Sequence, residues 1–223
     1  MNQETWSAVD HYLSEALFPK DPVLESALRA SSEAGLPAIN VTPHQGRWLQ
    51  LLARTRNARR ILEIGTLGGY STIWLARALP AGGRLVTLEL DLHHAEVARA
   101  NFLRAGLSDR IDLRIGPAAA TLDQLAAENC APFDLVFIDA DKAGTAGYFS
   151  QALRLSRPGA VILVDNVVRG GAVVDAASSD ANVQGIRQFI QAVAAEPRVT
   201  ATAIQTVGSK GYDGFAFVLV GGD

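Results

Sequence analysis

In the stretch ILEIGTLGGYSTIWLARAL, residues 61 to 79, an apolar run leads directly into Gly65, Gly68 and Gly69, and a helical pattern opens at Ser71. Glycines between a strand and a helix let the chain turn tightly and bring its backbone close to a ligand. The spacing is not the G-x-G-x-x-G of dinucleotide binding, and an acid, Glu63, stands just before the first glycine. An anion at that helix start would meet Glu63 at close range, whereas a cation would be attracted. The sulfonium and amino groups of S-adenosylmethionine suit that charge. The next apolar run, RLVTLE, ends in Glu89, whose carboxylate can accept hydrogen bonds from two ribose hydroxyls, as acids at that position do in nucleoside-binding α/β folds. A tight turn followed by a solvated strand end is the plainer reading. The two features in register favour the ligand.

A second set of residues carries different chemistry. FDLVFIDADK, residues 133 to 142, ends in Asp139-Ala140-Asp141-Lys142, and AVILVDN, residues 160 to 166, ends in Asp165-Asn166. If both runs are strands of one open parallel sheet, Asp139, Asp165 and Asn166 lie on the same ligand-binding edge. Two carboxylates and an amide oxygen, without His or Cys, form a hard site suited to Mg²⁺, Mn²⁺ or Ca²⁺ rather than zinc. Such a site keeps coordination positions open for a substrate oxygen. Only three of the 20 basic residues are lysine, namely Lys20, Lys142 and Lys210. A lysine beside a bound cation can serve as a general base, a role closed to arginine. Taken singly, each acid more often caps a helix. Three hard ligands and a lysine on one edge favour a metal site.

These residues need a scaffold, and the pattern supplies one. Apolar residues recur at helical spacing from Thr5 to about Leu17 and from Asp21-Pro22 to about Ala34, the second segment opening with an Asp cap and a first-turn Pro. A third helix is expected from Pro43 to about Arg56, with Trp48, Leu49, Leu51 and Leu52 inward. Short apolar runs follow at Arg60–Ile64, Arg84–Leu88, Ile111–Ile115, Leu135–Ile138 and Ala160–Val164, separated by helical stretches. That alternation predicts parallel βαβ units in a doubly wound α/β sheet, with strands buried on both faces. The Gly-, Ala-, Ser- and Asp-rich segment from Asn166 to about Ala181 is long for a connection and reads as a lid, a binding loop or a disordered stretch. A last helix over Asn182–Ala195 precedes two runs, Val199–Gln205 and Gly214–Val220, that can pair as a hairpin around Gly208–Asp213. One domain over residues 1–223 is expected, with 1–40 as an N-terminal helical region.

The chain has 223 residues, a formal charge of −3 and 48% apolar residues. That balance provides no basic field for nucleic acid and favours small-molecule partners. No aliphatic run approaches the roughly 20 residues that span a bilayer, so no membrane partner is expected. The lone Cys130 cannot form an internal disulfide, and the N-terminus does not read as a signal peptide. The cytoplasm is the expected location.

LEIGTLGGYST, VTLELD, FDLVFIDADK and VDNVVRGG, in this order and spacing, resemble the cation-dependent O-methyltransferases of the catechol and caffeoyl-CoA type. The resemblance runs from about Thr42 to the C-terminus. It implies a class I, Rossmann-like methyltransferase fold with a seven-stranded sheet whose last strand is antiparallel. It implies S-adenosylmethionine contacts from Val41, Glu63, Gly65, Ser71, Glu89, Ala118 and Asp139, with Ala118 against the adenine. It further implies ligation of a divalent cation by Asp139, Asp165 and Asn166, a catalytic base at Lys142, a vicinal-diphenol acceptor and a homodimer. The N-terminal features with which plant caffeoyl-CoA enzymes meet coenzyme A have no match placed in residues 1 to 40. Two other classes stay open, a nucleotide-dependent oxidoreductase on a related fold and a catalytically silent cofactor-binding protein.

Overall fold

The structure, a computed structural model, describes residues 2–130 and 132–221. Three helices come first: α1 (Gln3–Leu17), α2 (Pro22–Glu33) and α3 (Pro43–Thr55). Strands and helices then alternate through β1 (Arg60–Ile64), α4 (Tyr70–Ala76), β2 (Arg84–Glu89), α5 (Leu92–Arg104), β3 (Ile111–Ile115), α6 (Ala118–Ala127), β4 (Phe133–Ile138), α7 (Thr145–Arg154) and β5 (Ser156–Asp165). The chain closes with α8 (Ala181–Ala195) and the hairpin β6 (Val199–Gly208) and β7 (Gly211–Val220). No helix among the described residues is long and apolar enough to cross a membrane.

The seven strands are ordered β3-β2-β1-β4-β5-β7-β6. β1 pairs in parallel with both β2 and β4, while β7 runs antiparallel to β5 and β6. The strand order therefore reverses between β1 and β4, which opens a crevice at their carboxyl ends. Side chains alternate across the sheet. Leu62, Val136 and Ile162 pack under α6, α7 and α8, whereas Ile61, Leu135 and Val161 face the layer of α2 to α5. Burial on both faces holds for β1, β4 and β5 but not for β3, an edge strand with Ile115 exposed. An edge strand is covered from one side only, so the same apolar composition meets water.

The caps explain where the first helices begin. The Asp21 side chain accepts the Leu24 N–H at 3.2 Å ahead of Pro22, and Thr42 accepts the Gln45 N–H at 3.1 Å ahead of Pro43. Along α3, Leu49 is wholly buried but Leu51 is exposed, contrary to the expected inward set. Two residues at 100° each place Leu51 far around the helix from Leu49, and Gln50 and Ala53 fill the buried face instead.

Two further expectations are corrected. The segment after Asn166 is not an open lid. Val167 and Val168 are buried, the Val167 N–H donates to the Gly214 carbonyl, and a 3₁₀ turn spans Arg169–Val174. The hairpin is also tighter than expected. Ten-residue strands run to a Gly208–Gly211 pair, leaving Ser209 and Lys210 as the turn. Gly211 sits at φ 96°, a conformation glycine adopts without strain, and it lets the ladder continue into the stretch read as loop.

Candidate active site

The glycine turn after β1 is fixed by a close approach of backbone to backbone. Gly65 sits at φ 100°, and a Cβ built there would lie 2.0 Å from the Asp139 carbonyl oxygen at the end of β4. Only glycine fits. Gly69, at φ 79°, is the N-cap of α4. Around this turn lies a cavity of about 570 Å³. Of the seven residues expected to contact the cofactor, Val41, Gly65, Ser71, Glu89, Ala118 and Asp139 line it.

Glu63 departs from its expected place. It is fully buried behind the cavity wall, and its carboxylate is occupied by three hydroxyls, Ser71 Oγ at 2.7 Å, Thr72 Oγ1 at 2.5 Å and Thr87 Oγ1 at 2.7 Å. Desolvation raises its pKa to about 7, against the lowering effect of those hydroxyls, and the charge of Asp139 adds to the rise. Glu63 thus reaches the cavity through Ser71, which it orients. Its field still favours a cation there, because a positive ligand would offset the burial cost of the carboxylate.

Glu89 lines the cavity but is engaged before any ligand arrives. Its Oε2 accepts the Thr66 and Leu67 N–H groups at 3.1 and 2.7 Å, and its Oε1 accepts those of Leu90 and Asp91 at 3.0 and 2.9 Å. The acid that ends β2 therefore ties together the loops after β1 and β2.

A second cavity, of about 700 Å³, adjoins the first. Asp139 and Lys142 line the first cavity, Asp165 lines the second, and Asn166 and Arg169 line both. The Lys142 Nζ donates to Asp139 Oδ1 at 2.9 Å in a largely buried ion pair. Asn166 holds a left-handed backbone at φ 58°, and its N–H donates to Asp165 Oδ1 at 2.8 Å. Asn tolerates that conformation better than most residues. Burial and the facing charge of Asp139 push the Asp165 carboxyl up to about 7, with Lys142 opposing.

The donor set fits a hard divalent cation on this structure's own terms. Asp139 and Asp165 repel each other, Asn166 adds a neutral amide oxygen next in sequence to Asp165, and a cation would relieve the repulsion. Among the described residues no group of three or more His, Cys, Asp or Glu is placed to hold a metal, so Asn166 is needed as the third donor.

Several residues of the site escaped the sequence reading. Trp48 and Phe215 wall the second cavity with ring centroids 4.4 Å apart, and Tyr212 joins them. The aromatic wall thus comes from α3 and β7, and none of it comes from the segment 166–181. Gln45 lines the second cavity with Asp165. Tyr148 donates to Asp141 Oδ1 at 2.6 Å at the rim of the first cavity, where burial and then Asp141 push its phenol up. Lys210 reaches from the β6–β7 turn to the Asn40 carbonyl. Its rarity as a lysine was the one available signal.

Residues 14–217 match the O-methyltransferase family. The chain belongs to that family. A catechol O-methyltransferase of Niastella koreensis is 51% identical over 220 residues, covering 99% of this chain and 100% of the relative. One from Mycobacterium tuberculosis is 54% identical, covering 95% and 94% of the two chains. The crystal structure of an O-methyltransferase from Bacillus cereus in complex with SAH superposes with a TM-score of 0.97 at 58% identity, covering 98% of this chain and 100% of that one. The protein is an S-adenosylmethionine-dependent O-methyltransferase, so the oxidoreductase and silent-protein readings fall away. In this methyltransferase the two cavities adjoin and share Ile39, Asn40, Val41, Asn166 and Arg169 as lining.

Proposed function

We propose that this methyltransferase moves the methyl group of S-adenosylmethionine to one hydroxyl of a vicinal diphenol, with a divalent cation held by Asp139, Asp165 and Asn166. The observation that carries the reading is where those three residues stand with Lys142, at the junction of the two cavities. A donor in one cavity and an acceptor in the other would meet there. The catechol named for two relatives supports the acceptor class.

Bound at the three ligands, such a cation would supply Lewis acidity that lowers the pKa of the acceptor phenol. The chain's own residues do the rest. Lys142 Nζ takes the phenolic proton. Trp48 and Phe215 hold the ring, with the oxygen in line behind the sulfonium methyl at about 3 Å. The new O–CH₃ bond forms as the S–CH₃ bond breaks, and the sulfonium leaves as a neutral thioether. Buried Glu63 keeps Ser71 aimed at the donor's cavity, and Glu89 holds the loop around its ribose end.

The test is a panel of vicinal diphenols incubated with S-adenosylmethionine, with and without Mg²⁺, and read by product mass. A gain of one methyl group that depends on the cation is the expected result. Equal methylation after exhaustive chelation would remove the cation from the reading. The same reading carries a cytoplasmic homodimer. Val9, Tyr12 and Leu17 of α1, with Ile204 and Val207 of β6, are exposed apolar side chains available to a second copy.

A further inference from the structure

The second cavity contains two cations that methyl transfer does not use. Arg169 lines both cavities, three residues after Asn166. Its backbone is left-handed, at φ 57°, and is fixed there because the Val168 and Arg169 N–H groups both donate to Asp213 Oδ1 at 3.0 Å. Its Nε is shielded from solvent without a hydrogen-bond partner, and among the described residues no carboxylate forms an ion pair with the guanidinium.

Lys210 approaches from the β6–β7 turn and is exposed to solvent. Its Nζ donates to the Asn40 carbonyl and pairs with no carboxylate among the described residues. Partial burial lowers the ammonium below its ordinary value while the charges of Asp139 and Asp165 raise it, which sets Lys210 within electrostatic reach of both acids.

The other acids of this cavity are already engaged. Asp213 accepts a third backbone N–H, from Gly214 at 2.9 Å, and Asp10 accepts that of Ser209 at 2.7 Å. Asp165 accepts the Asn166 N–H at 2.8 Å. Arg169 and Lys210 therefore face the space beside the Trp48 and Phe215 rings with capacity to spare.

We propose that Arg169 and Lys210 form an anion subsite in the acceptor cavity, so that the natural acceptor is a vicinal diphenol bearing a carboxylate. This rests on the methyl-transfer reading above and narrows its substrate class. A guanidinium offers a planar fork that matches a carboxylate with two parallel hydrogen bonds, and an ammonium adds a compact charge. A cavity of about 700 Å³ with an aromatic wall suits a substituted ring rather than a nucleotide-bearing thioester.

The test compares kcat/KM for 3,4-dihydroxybenzoate, its methyl ester, catechol, caffeate and caffeoyl-CoA, using the full chain with S-adenosylmethionine and Mg²⁺. The acid should exceed the ester by about 10- to 100-fold, the range of a charge-assisted contact. Arg169→Gln and Lys210→Gln should each reduce the acid-to-ester ratio about tenfold, and Arg169→Lys should keep part of it. Circular dichroism and S-adenosylmethionine affinity check that each variant stays folded. Should the Arg169 variants fail that check, Lys210→Gln, on a turn, decides the matter. A wild-type ratio near one, or a ratio unmoved by the substitutions, overturns the subsite. Preference for caffeoyl-CoA over caffeate would assign the cations to phosphates and overturn the carboxylate. Catechol turnover with a ratio of one sinks the subsite alone, whereas no methylation of any diphenol sinks the methyl-transfer reading with it.

Discussion

Lys142 keeps one carboxylate partner, Asp139 at 2.9 Å, and is nearly sealed from water. In the proton-acceptor role proposed for it, its loss should be felt in turnover. Lys142→Met should lower kcat by about 10²- to 10⁴-fold with S-adenosylmethionine affinity little changed in calorimetry. Lys142→Arg keeps the charge without an accessible neutral form, so wild-type rates in that variant would count against the base. Glu63 offers a pH experiment. Its carboxyl is held at about 7 in the folded chain against an ordinary 4.5. Between those values the unfolded chain has released the proton and the folded chain retains it, so stability falls as pH rises through that window and levels off above it. The loss from this one group is about 3 kcal/mol. Subtracting the thermal stability of cofactor-free Glu63→Gln from that of wild type should leave this slope, and at pH 8 the variant should be the more stable. Parallel curves would mean that Glu63 stays ionised. Glu89 has four backbone partners, so Glu89→Gln sets an NH₂ against at least one N–H. A cost of about 1–3 kcal/mol to the cofactor-free protein is expected, and an unchanged melting temperature would confine Glu89 to ligand contact.

The turn between β1 and α4 depends on a missing methyl group. Gly65→Ala places a Cβ 2.0 Å from the Asp139 carbonyl oxygen at a positive φ, so either the turn or the end of β4 must move. Destabilisation of about 3 kcal/mol or more follows, and chemical denaturation read by tryptophan fluorescence checks it. This turn, the strand ends and their acids were legible in sequence because each is local: a strand of five to ten residues delivers Glu63, Glu89, Asp139 or Asp165 to the same sheet edge whatever the rest of the chain does. What surrounds them was not legible. Trp48 meets Phe215, and Lys210 meets Asn40, across 167 and 170 residues, and no local pattern records such partners. Leu51 was misplaced because four large apolar residues in five positions of α3 overfill one helical face, and periodicity alone does not say which one turns out. The segment after Asn166 has the composition of a loop, yet two valines and the Asp213 carboxylate anchor it to β7.

At the scale of the molecule, α1 buries none of its residues and β6 shows most of its length to solvent. Tyr12→Glu together with Ile204→Glu should shift the mass in light scattering from two chains to one, with little change in monomer fold. A wild type that scatters as one chain at tens of micromolar would end the dimer reading. The same two elements contribute Asp10, Thr206, Val207 and Gly208 to the lining of the second cavity. The Gln3 side chain donates to the Gly208 and Ser209 carbonyls, and Asp10 accepts the Ser209 N–H, so the first helix grips the last hairpin across about two hundred residues. That grip sets an order of events. Emerging from the ribosome, α1 can meet α3 early, through Ser14 and the Asp10 carbonyl against His44, but the β6–β7 turn that it grips is made only after residues 39 to 148, which wall most of the first cavity. Closing a loop of that span costs entropy that only late contacts repay, so the clasp should be the last part to assemble and the first to open. In native-state hydrogen exchange the Ser209 amide should exchange through a local opening well before the amides of β1 and β4. An acceptor could then enter and leave through the seam where the two ends of the chain meet, without disturbing the donor.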